Sequence, residues 1–386
     1  MKKKTRLIHA GRSPEANYGI VNPPVYHAST VTFPTVAELE RASKNPLEGV
    51  YYGLMGTPTT FALQDGIAEL EGYEYAVALP SGLAAITTAI LAYVGSGDHV
   101  LMVDNVYGPT RRFCDRMLSR LGVSVTYYDP MIGEGIAELM RPETRVVFTE
   151  APGSLTFEVQ DLPAISKAAH AGGAKVILDN TWSGGLYLQP APLGVDVSLQ
   201  AVTKYIGGHS DLMLGSIAFN KSEYSFIREA VRDLGIGASP DDCFMALRGL
   251  RSLEARLPVH QENGLKLASW LESREEVETI LHPAFPSCPG HDVFKRDFTG
   301  SSGLFSIILR DTYTKEDVAR MLDGMKLFPM GYSWGGFESL IIPAPPKSIR
   351  TATTWESGPV IRIHAGLEDA DDLISDLEKG LQRLSG

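Results

Sequence analysis

The chain has 386 residues, of which 44% are hydrophobic and 21% charged, the composition of a globular protein with room for two or three domains. The net charge is −11 at pH 7, and no basic stripe alternates with aromatic residues, which argues against nucleic acid or an anionic membrane as a partner. No apolar segment follows the basic start of the chain, and the longest apolar runs are too short to cross a bilayer. We therefore expect neither a signal peptide nor a membrane span.

The cysteines and histidines give no sign of a disulfide framework or a metal site. Cys114, Cys243 and Cys288 are odd in number and lack a C-x-x-C spacing. This fits a reducing cytoplasm and predicts that each cysteine is a small buried side chain. The nine histidines include no H-x-x-x-H pair, so no metal ligand set is predicted.

The first 55 residues contain the run Asn22-Pro23-Pro24 and no sustained hydrophobic period, which is typical of an extended arm that lies on a neighbouring surface. From 56 to 250, short apolar runs alternate with amphipathic stretches. The strand candidates are 75–79, 99–103, 124–128, 145–148, 175–178, 197–199 and 215–218. The helix candidates are 59–71, 81–91, 109–121 and 162–171. This alternation predicts an α/β domain with a mostly parallel central sheet flanked by helices.

A long helical stretch over 241–271 leads into a different pattern near the C-terminus. Strands are predicted at 304–309 and 360–363, and helices at 315–322 and 371–384. The expected organisation is therefore an N-terminal arm over 1–55, the α/β domain over 56–250, and a smaller α+β domain over 251–386.

Lys204 lies in the strongest local motif, Ala201-Val202-Thr203-Lys204-Tyr205, which is followed by the glycine pair Gly207 and Gly208. Small and apolar neighbours can bury the amine and lower its pKa, which is what a Schiff-base lysine needs. Taken alone, the motif is more typical of a lysine at a strand end that reaches toward solvent.

Asp179 ends the apolar run 175–178, and ligands of parallel sheets bind at the carboxyl ends of strands. A carboxylate there can pair with a protonated pyridine nitrogen, although an aspartate at this place can also cap a helix.

Two further strand ends carry candidate binding residues. Ser81-Gly82-Leu83 begins a predicted helix whose free N–H groups could hold a phosphate. Tyr107 could stack on an aromatic cofactor or pack against the sheet. No G-x-G-x-x-G follows a strand, and no P-loop motif is present. The sequence therefore indicates neither a nicotinamide-binding enzyme nor a nucleoside triphosphatase.

Ten segments in order along nearly the whole chain resemble the Cys/Met-metabolism family of fold-type I pyridoxal-phosphate (PLP) enzymes. They are 7–12 (LIHAGR), 21–26 (VNPPVY), 52–59 (YGLMGTPT), 80–82 (PSG), 150–154 (EAPGS), 178–182 (LDNTW), 203–205 (TKY), 298–305 (FTGSSGLF), 332–340 (YSWGGFESL) and 361–369 (IRIHAGLED). Members that act at the γ-carbon typically have an asparagine in E-S-P-x-N-P and lack the tryptophan of Y-S-W-G-G-F-E-S. This chain reads E-A-P-G-S at 150–154 and has the tryptophan, Trp334. Both features resemble the cystathionine β-lyase branch.

The resemblance implies a fold-type I enzyme with pyridoxal 5′-phosphate as cofactor and a site shared across a dimer, usually within a tetramer. The implied catalytic residues are Lys204, which carries the cofactor as a Schiff base, and Tyr107, which stacks on its ring. Asp179 would pair with the pyridine nitrogen. The implied phosphate ligands are Gly82, Leu83, Thr203 and, in the neighbouring subunit's site, Tyr52. The implied substrate ligands are Arg362 on the α-carboxylate, Ser333, Trp334, Tyr52 and Arg112.

The chain departs from the family pattern at positions that affect cofactor retention. Leu54 stands where family members usually have an arginine that reaches the phosphate, and Met55 where some β-lyases have a second one. Losing such a contact is expected to weaken retention by about 1.5–3 kcal/mol. We expect Arg111 or Arg112 to replace it partly or to meet the distal carboxylate of the substrate, the alternative being a solvated helix face.

The activity implied by the resemblance is β-elimination on L-cystathionine, which gives homocysteine, pyruvate and ammonia, in a cytoplasmic homotetramer. Three alternatives remain open. One is another sulfur amino-acid lyase, such as an S-alkylcysteine β-lyase or a γ-lyase or synthase. The second is an amino-acid racemase, acting on alanine for example. The third is a binding or regulatory protein without activity, which the combination of Lys204, Asp179 and Arg362 disfavours.

Overall fold

The computed structural model describes residues 1–44, 46–47 and 49–384, and within them the chain forms two β-sheets with helices packed against both. The first sheet contains seven strands, Tyr75–Leu79 (β1), His99–Val103 (β2), Ser124–Tyr128 (β3), Thr144–Glu150 (β4), Lys175–Asp179 (β5), Val197–Gln200 (β6) and Gly215–Phe219 (β7). Their order is β1-β7-β6-β5-β4-β2-β3, and only the pairs that β7 makes are antiparallel. The prediction of a mostly parallel sheet is confirmed.

This sheet is buried on both faces, as the composition of its strands requires. All five residues of β2 and all five of β7 are buried, because helices cover the two sides of a parallel sheet. The parallel register places Glu150, at the end of β4, opposite Asp179, at the end of β5. The carboxyl ends of β4, β5 and β6 therefore lie along one edge of the sheet, where the candidate site residues emerge.

Eleven α-helices lie in the described residues. They are Lys3–His9 (α1), Val36–Lys44 (α2), Pro58–Glu71 (α3), Gly82–Leu91 (α4), Gly108–Phe113 (α5), Leu162–Ala171 (α6), Tyr224–Asp233 (α7), Pro240–Glu272 (α8), His291–Asp297 (α9), Lys315–Asp323 (α10) and Ala370–Gln382 (α11). Most predicted helices agree within one or two residues. The helix predicted over 109–121 is shorter, because the α-helix ends at Phe113 and continues as one wider turn, Cys114–Leu118.

The prediction that segment 1–55 is an extended arm is wrong for two stretches, which form α1 and α2. The buried face of α1 is a single side chain, Leu7, which packs with the helix α3. One buried position in seven residues produces no detectable hydrophobic period, so the sequence did not indicate this helix.

The second sheet is antiparallel and contains Val277–Leu281 (β8), Leu304–Leu309 (β9), Leu340–Ala344 (β10) and Val360–His364 (β11) in the order β10-β11-β9-β8. Helices α10 and α11 pack against it in a separate hydrophobic cluster. The sequence missed the two edge strands. Glu278 interrupts the apolar run of β8, and Pro343 interrupts β10, where an edge strand tolerates it.

The three cysteines are buried and unpaired, as predicted. None of the helices in the described ranges combines the length and the hydropathy that crossing a membrane requires.

Gly249 on α8 allows this helix to lie directly on the turn that follows Lys204. A Cβ at this position would lie 2.3 Å from the carbonyl oxygen of Ile206 and 2.5 Å from that of Gly207. Both neighbours are backbone atoms, which cannot rotate away, so the residue must be glycine for the helix to reach the turn.

Replacing Gly249 with alanine is therefore expected to lower the free energy of unfolding by about 1–3 kcal/mol, the usual range for overpacking. Thermal or urea unfolding of the apoprotein would measure it. Glu262→Ala, at an exposed position of the same helix, is the control and should change stability little. Equal stability of the two variants would show that α8 does not depend on this close approach.

Candidate active site

Lys204 follows β6 in a short turn, where its N–H donates to the carbonyl oxygen of Ala201 at 3.0 Å. The Nζ atom donates to the hydroxyl oxygen of Ser333 at 2.6 Å and lies 5.2 Å from the centre of the Trp334 ring. Burial and, to a smaller extent, the positive charge of Arg362 lower the pKa of Lys204, while the charge of Asp179 raises it, and together they bring it to about 8. The amine is thus available in its neutral form near physiological pH.

Asp179 reaches the same space from the end of β5. One of its oxygens, Oδ1, accepts hydrogen bonds from the N–H of Thr181 at 3.0 Å and from its hydroxyl at 2.6 Å. No described residue donates to the other oxygen, Oδ2. Burial raises the pKa of Asp179, while the two Thr181 bonds and the charge of Lys204 oppose the rise. Asp179 therefore has one oxygen held by the protein and one free for a ligand.

Glu150 is a site residue that strand-end reasoning could have found, because it ends β4 as Asp179 ends β5. Its Oε2 accepts the backbone N–H of Tyr107 at 2.8 Å. Burial and the neighbouring Asp179 raise the pKa of Glu150 well above its ordinary value. The Tyr107 ring is half exposed beside these two acids, and burial, followed by the charges of Glu150 and Asp179, raises its pKa.

Arg362, in the middle of β11, brings the second sheet to the site. Its Nη2 donates to the carbonyl oxygen of Ser333 at 3.1 Å, and burial lowers its pKa to about 10. Ser333 has a φ of 85°, a backbone conformation that is rare for residues other than glycine. Its hydroxyl contacts the amine of Lys204. A Cβ on Gly335 would lie 2.8 Å from the backbone nitrogen of Tyr205, so the 333–335 loop packs directly on the lysine's turn.

Gly82 and Leu83 begin α4, and their N–H groups are free of the helix's own hydrogen bonds. The side chain of Ser81 caps the helix by accepting the N–H of Ala84 at 3.0 Å. A Cβ on Gly82 would lie 2.7 Å from the Cβ of Ala201, so this helix start lies directly against the segment that leads to Lys204. Two free N–H groups at a helix start are suited to an anion.

The hydroxyl of Thr203 is already engaged by the protein backbone. The Thr203 hydroxyl donates to the Leu214 carbonyl oxygen at 3.1 Å and accepts the Leu214 N–H at 3.0 Å. Its predicted contact with a phosphate remains a prediction and requires this hydroxyl to turn.

Tyr52 is half exposed and makes no side-chain hydrogen bond to the described residues. Leu54 and Met55 line a cavity together with Arg228, Arg232 and other residues, and Lys204 and Asp179 are not part of that lining.

The structure separates the two adjacent arginines. Arg111 is buried, pairs with Asp104 at 2.6 Å, and lies over the Tyr127 ring at 3.6 Å. Its guanidinium is buried and held by Asp104 and Thr351, so it is not available as a replacement for the arginine missing at Leu54. Arg112 is exposed and has no ion pair with any described residue, so of the two it is the one available to a ligand.

These residues fit pyridoxal phosphate on the evidence of their own surroundings. A neutral buried amine can attack the aldehyde, the free Oδ2 of Asp179 can accept the ring N–H, and the start of α4 can hold the phosphate. The half-exposed Tyr107 ring can stack on the pyridine. The fold and site together define a PLP-dependent enzyme of fold type I.

The family model described as Cys/Met metabolism PLP-dependent enzyme matches residues 4–382. The chain belongs to this family. It is 43% identical to the cystathionine β-lyase MetC of Escherichia coli, over 99% of each chain. It is 40% identical to the L-alanine/L-glutamate racemase of Wolbachia pipientis, over 100% of this chain and 98% of that one. The crystal structure of metB from Corynebacterium glutamicum superposes with a TM-score of 0.91 at 31% identity, covering 100% of this chain and 98% of that one.

We expect pyridoxal phosphate to attach covalently to the apoenzyme at a rate that rises with pH through a midpoint near 8, because only the neutral amine of Lys204 can attack. Arg362→Met removes a charge that disfavours the ammonium ion, so the midpoint should move to higher pH. Asp179→Asn removes a charge that favours it, so the midpoint should move lower. Absorbance after mixing would measure the rates, and a midpoint near the ordinary lysine value of 10.5 would contradict the assignment.

Proposed function

We propose that this enzyme is a carbon–sulfur lyase that catalyses β-elimination on L-cystathionine, with homocysteine, pyruvate and ammonia as products. The observation that carries the proposal is the buried amine of Lys204, which is bonded to the Ser333 hydroxyl and lies within the electrostatic influence of Asp179 and Arg362. Membership of the PLP-dependent family and the cystathionine β-lyases among its relatives support the same reaction.

When bound, pyridoxal phosphate supplies an electron sink for the carbanion formed at the substrate's α-carbon. Asp179, whose Oδ2 has no donor among the described residues, would hold the protonated ring nitrogen. The Arg362 guanidinium binds the α-carboxylate and orients the Cα–H bond. We assign both roles on the positions of these side chains at the edge where the two sheets meet.

Lys204 would act as the base that takes the proton from the substrate's α-carbon. The Ser333 hydroxyl, 2.6 Å from Nζ, orients the amine. As the Cβ–S bond breaks, the same ammonium group returns a proton to the departing sulfur, so homocysteine leaves as a thiol. The remaining three-carbon fragment is hydrolysed to pyruvate and ammonia. A lysine pKa of about 8 suits both transfers, since the group must bind and release a proton near neutral pH.

We further propose that Arg112 meets the distal carboxylate of the substrate. It is exposed and unpaired one residue beyond Arg111, on the helix that follows Tyr107. From the family resemblance, we propose that Tyr52 acts across a dimer interface and that two dimers form a homotetramer. From the cysteine usage we propose a cytoplasmic location, and from the sequence pattern the units 1–55, 56–250 and 251–386.

A racemase is the second candidate, favoured by the 40% identity to the Wolbachia enzyme. The same deprotonated α-carbon can be reprotonated on its other face, which requires no carbon–sulfur cleavage. An S-alkylcysteine β-lyase and a γ-lyase or synthase share the scaffold. Incubation with L-alanine followed by a D-alanine assay separates the racemase, and 2-oxobutyrate in place of pyruvate separates the γ-reaction.

The reconstituted enzyme is expected to release pyruvate from L-cystathionine, and Lys204→Ala should reduce this rate by at least about a thousandfold, since it removes both the anchor and the base. The variant should also lose the visible absorbance of the covalently held cofactor. Lys175→Ala, which alters a lysine that pairs with Glu223 at 2.7 Å, is the matched control and should retain activity. A Lys204→Ala protein that turned over substrate would refute the assignment.

Arg112→Ala should raise the KM for L-cystathionine about tenfold or more, the cost of one charge-assisted contact, with a smaller effect on kcat. The KM for an S-alkylcysteine, which has no distal carboxylate, should not change. Arg116→Ala, four residues beyond Arg112 and also exposed, is the control. If the cystathionine KM and the cofactor affinity were both unaffected, Arg112 would have no role in either.

A further inference from the structure

The connection between β10 and β11 leaves its own sheet and binds two buried carboxylates in the loops that follow β2 and β4 of the first sheet. We call residues 350–353 of this connection the 350–353 clamp. Its Arg350 forms an ion pair with Glu158, and its next three residues donate to Asp104. Asp104 and Glu158 are both buried, so each needs these donors in place of water.

Asp104 receives donors from three successive residues of the clamp. Its Oδ1 accepts the N–H of Thr351 at 2.9 Å, and its Oδ2 accepts the N–H groups of Ala352 at 3.1 Å and of Thr353 at 2.9 Å. The Thr353 hydroxyl adds a bond of 2.8 Å to Oδ2. Consecutive backbone N–H groups that converge on one anion form a nest. Burial raises the pKa of Asp104, but these bonds outweigh it and hold the pKa below its ordinary value.

Glu158 is the second attachment and lies beside the same loop. It accepts the Asn105 side-chain amide at 2.8 Å and the Thr156 hydroxyl at 2.5 Å, in addition to the charge of Arg350. Asp104 and Asn105 come directly before Val106 and Tyr107 in the chain. The clamp therefore binds the start of the Tyr107 loop directly at Asp104 and, through Glu158, at Asn105.

The clamp also determines where the following helix points. Arg111 on α5 donates to the carboxylate of Asp104 at 2.6 Å and to its carbonyl oxygen at 2.9 Å, and to the Thr351 hydroxyl at 3.1 Å. Arg112 is the next residue. At its other end the clamp continues into β11, which carries Arg362. One short segment thus connects the two arginines proposed to bind the ends of the substrate.

We infer that Asp104 is a positioning residue that, through the 350–353 clamp, sets the distance between Arg362 and the Tyr107–Arg112 loop and so the length of substrate that binds. The inference rests on the proposed function for the identity of the substrate. Asp104 contacts neither Lys204 nor Asp179, so it acts on the binding of substrate rather than on proton transfer.

The first test is Asp104→Asn, which keeps the shape but turns one oxygen into a donor that faces the clamp's own donors. The amide protons of Thr351, Ala352 and Thr353 should exchange with deuterium faster in the variant holoenzyme, by about tenfold or more. The KM for L-cystathionine should rise about tenfold or more, while kcat changes less, because uniform binding is lost. A purely structural role would lower the melting temperature and the active fraction but leave the KM of the active fraction unchanged.

Asp161→Asn is the matched control. Asp161 also pairs with an arginine, Arg296, at 2.9 Å and also accepts a backbone N–H, that of Ala164 at 3.2 Å, but it caps the start of α6 rather than contacting the clamp. This variant should lower the melting temperature and leave both the KM and the exchange of residues 351–353 as they are.

Thr353 allows the clamp to be altered from the other side without touching the Tyr107 loop. Thr353→Val removes the hydroxyl that donates to Asp104 and accepts from Arg350 and should raise the KM, whereas Thr353→Ser keeps both bonds and should leave the KM unchanged. In the Asp104→Asn background, Thr353→Val should raise the KM less than it does alone, because the bond to the carboxylate is already altered.

The outcomes separate this inference from the proposed function. If the unaltered enzyme released no pyruvate from L-cystathionine, the proposed function would fail, while the exchange measurement would still test the clamp. If exchange at 351–353 and the KM were both unchanged in Asp104→Asn, the clamp would be refuted whatever the substrate. Faster exchange with an unchanged KM would also overturn it, because the clamp would then not position the substrate.

Discussion

A lysine amine that must lose its proton near neutral pH has to be taken out of water without being paired so strongly that it stays an ammonium ion. Lys204 meets this constraint because burial and the charge of Arg362 lower its pKa while the opposite charge of Asp179 limits the fall, and the net pKa is about 8. The hydrogen-bond partner of the amine among the described residues is neutral, the hydroxyl of Ser333. The neighbouring elements can be understood from this requirement, since the two charges come from different sheets and must both lie near one atom.

The two acids at the edge of the first sheet, Glu150 and Asp179, differ in the hydrogen bonds that they accept and therefore in their roles. Burial raises the pKa of both Glu150 and Asp179, so the pair cannot easily carry two charges. The Asp179 carboxylate accepts two bonds from Thr181 and lies near the charge of Lys204, whereas the Glu150 carboxylate accepts, from the residues the structure describes, the N–H of Tyr107. Asp179 is therefore the acid that better retains its charge, and Glu150 orients the loop whose ring covers the site.

Much of the fold could be predicted from the sequence because the first sheet is buried on both faces. Strands such as β2 and β7 consist of apolar residues bounded by polar ones, and the amphipathic helices between them keep a clear period. The prediction was wrong or incomplete where that contrast is weak. The helix α1 buries one residue, and the edge strands β8 and β10 contain Glu278 and Pro343. Local pattern cannot report such elements, since contacts distant in sequence stabilise them.

The sequence by itself determined the family, the cofactor and the identity of Lys204, Asp179, Tyr107 and Arg362 as the residues to examine, because these depend on motifs that remain intact over short stretches. Only the tertiary structure decided which of two adjacent arginines is free. Asp104 and residues 351–353 are far apart in the chain, and their contact buries Arg111 while it leaves Arg112 exposed. Partners distant in sequence leave no local signal, and the pKa of a buried group depends on those partners.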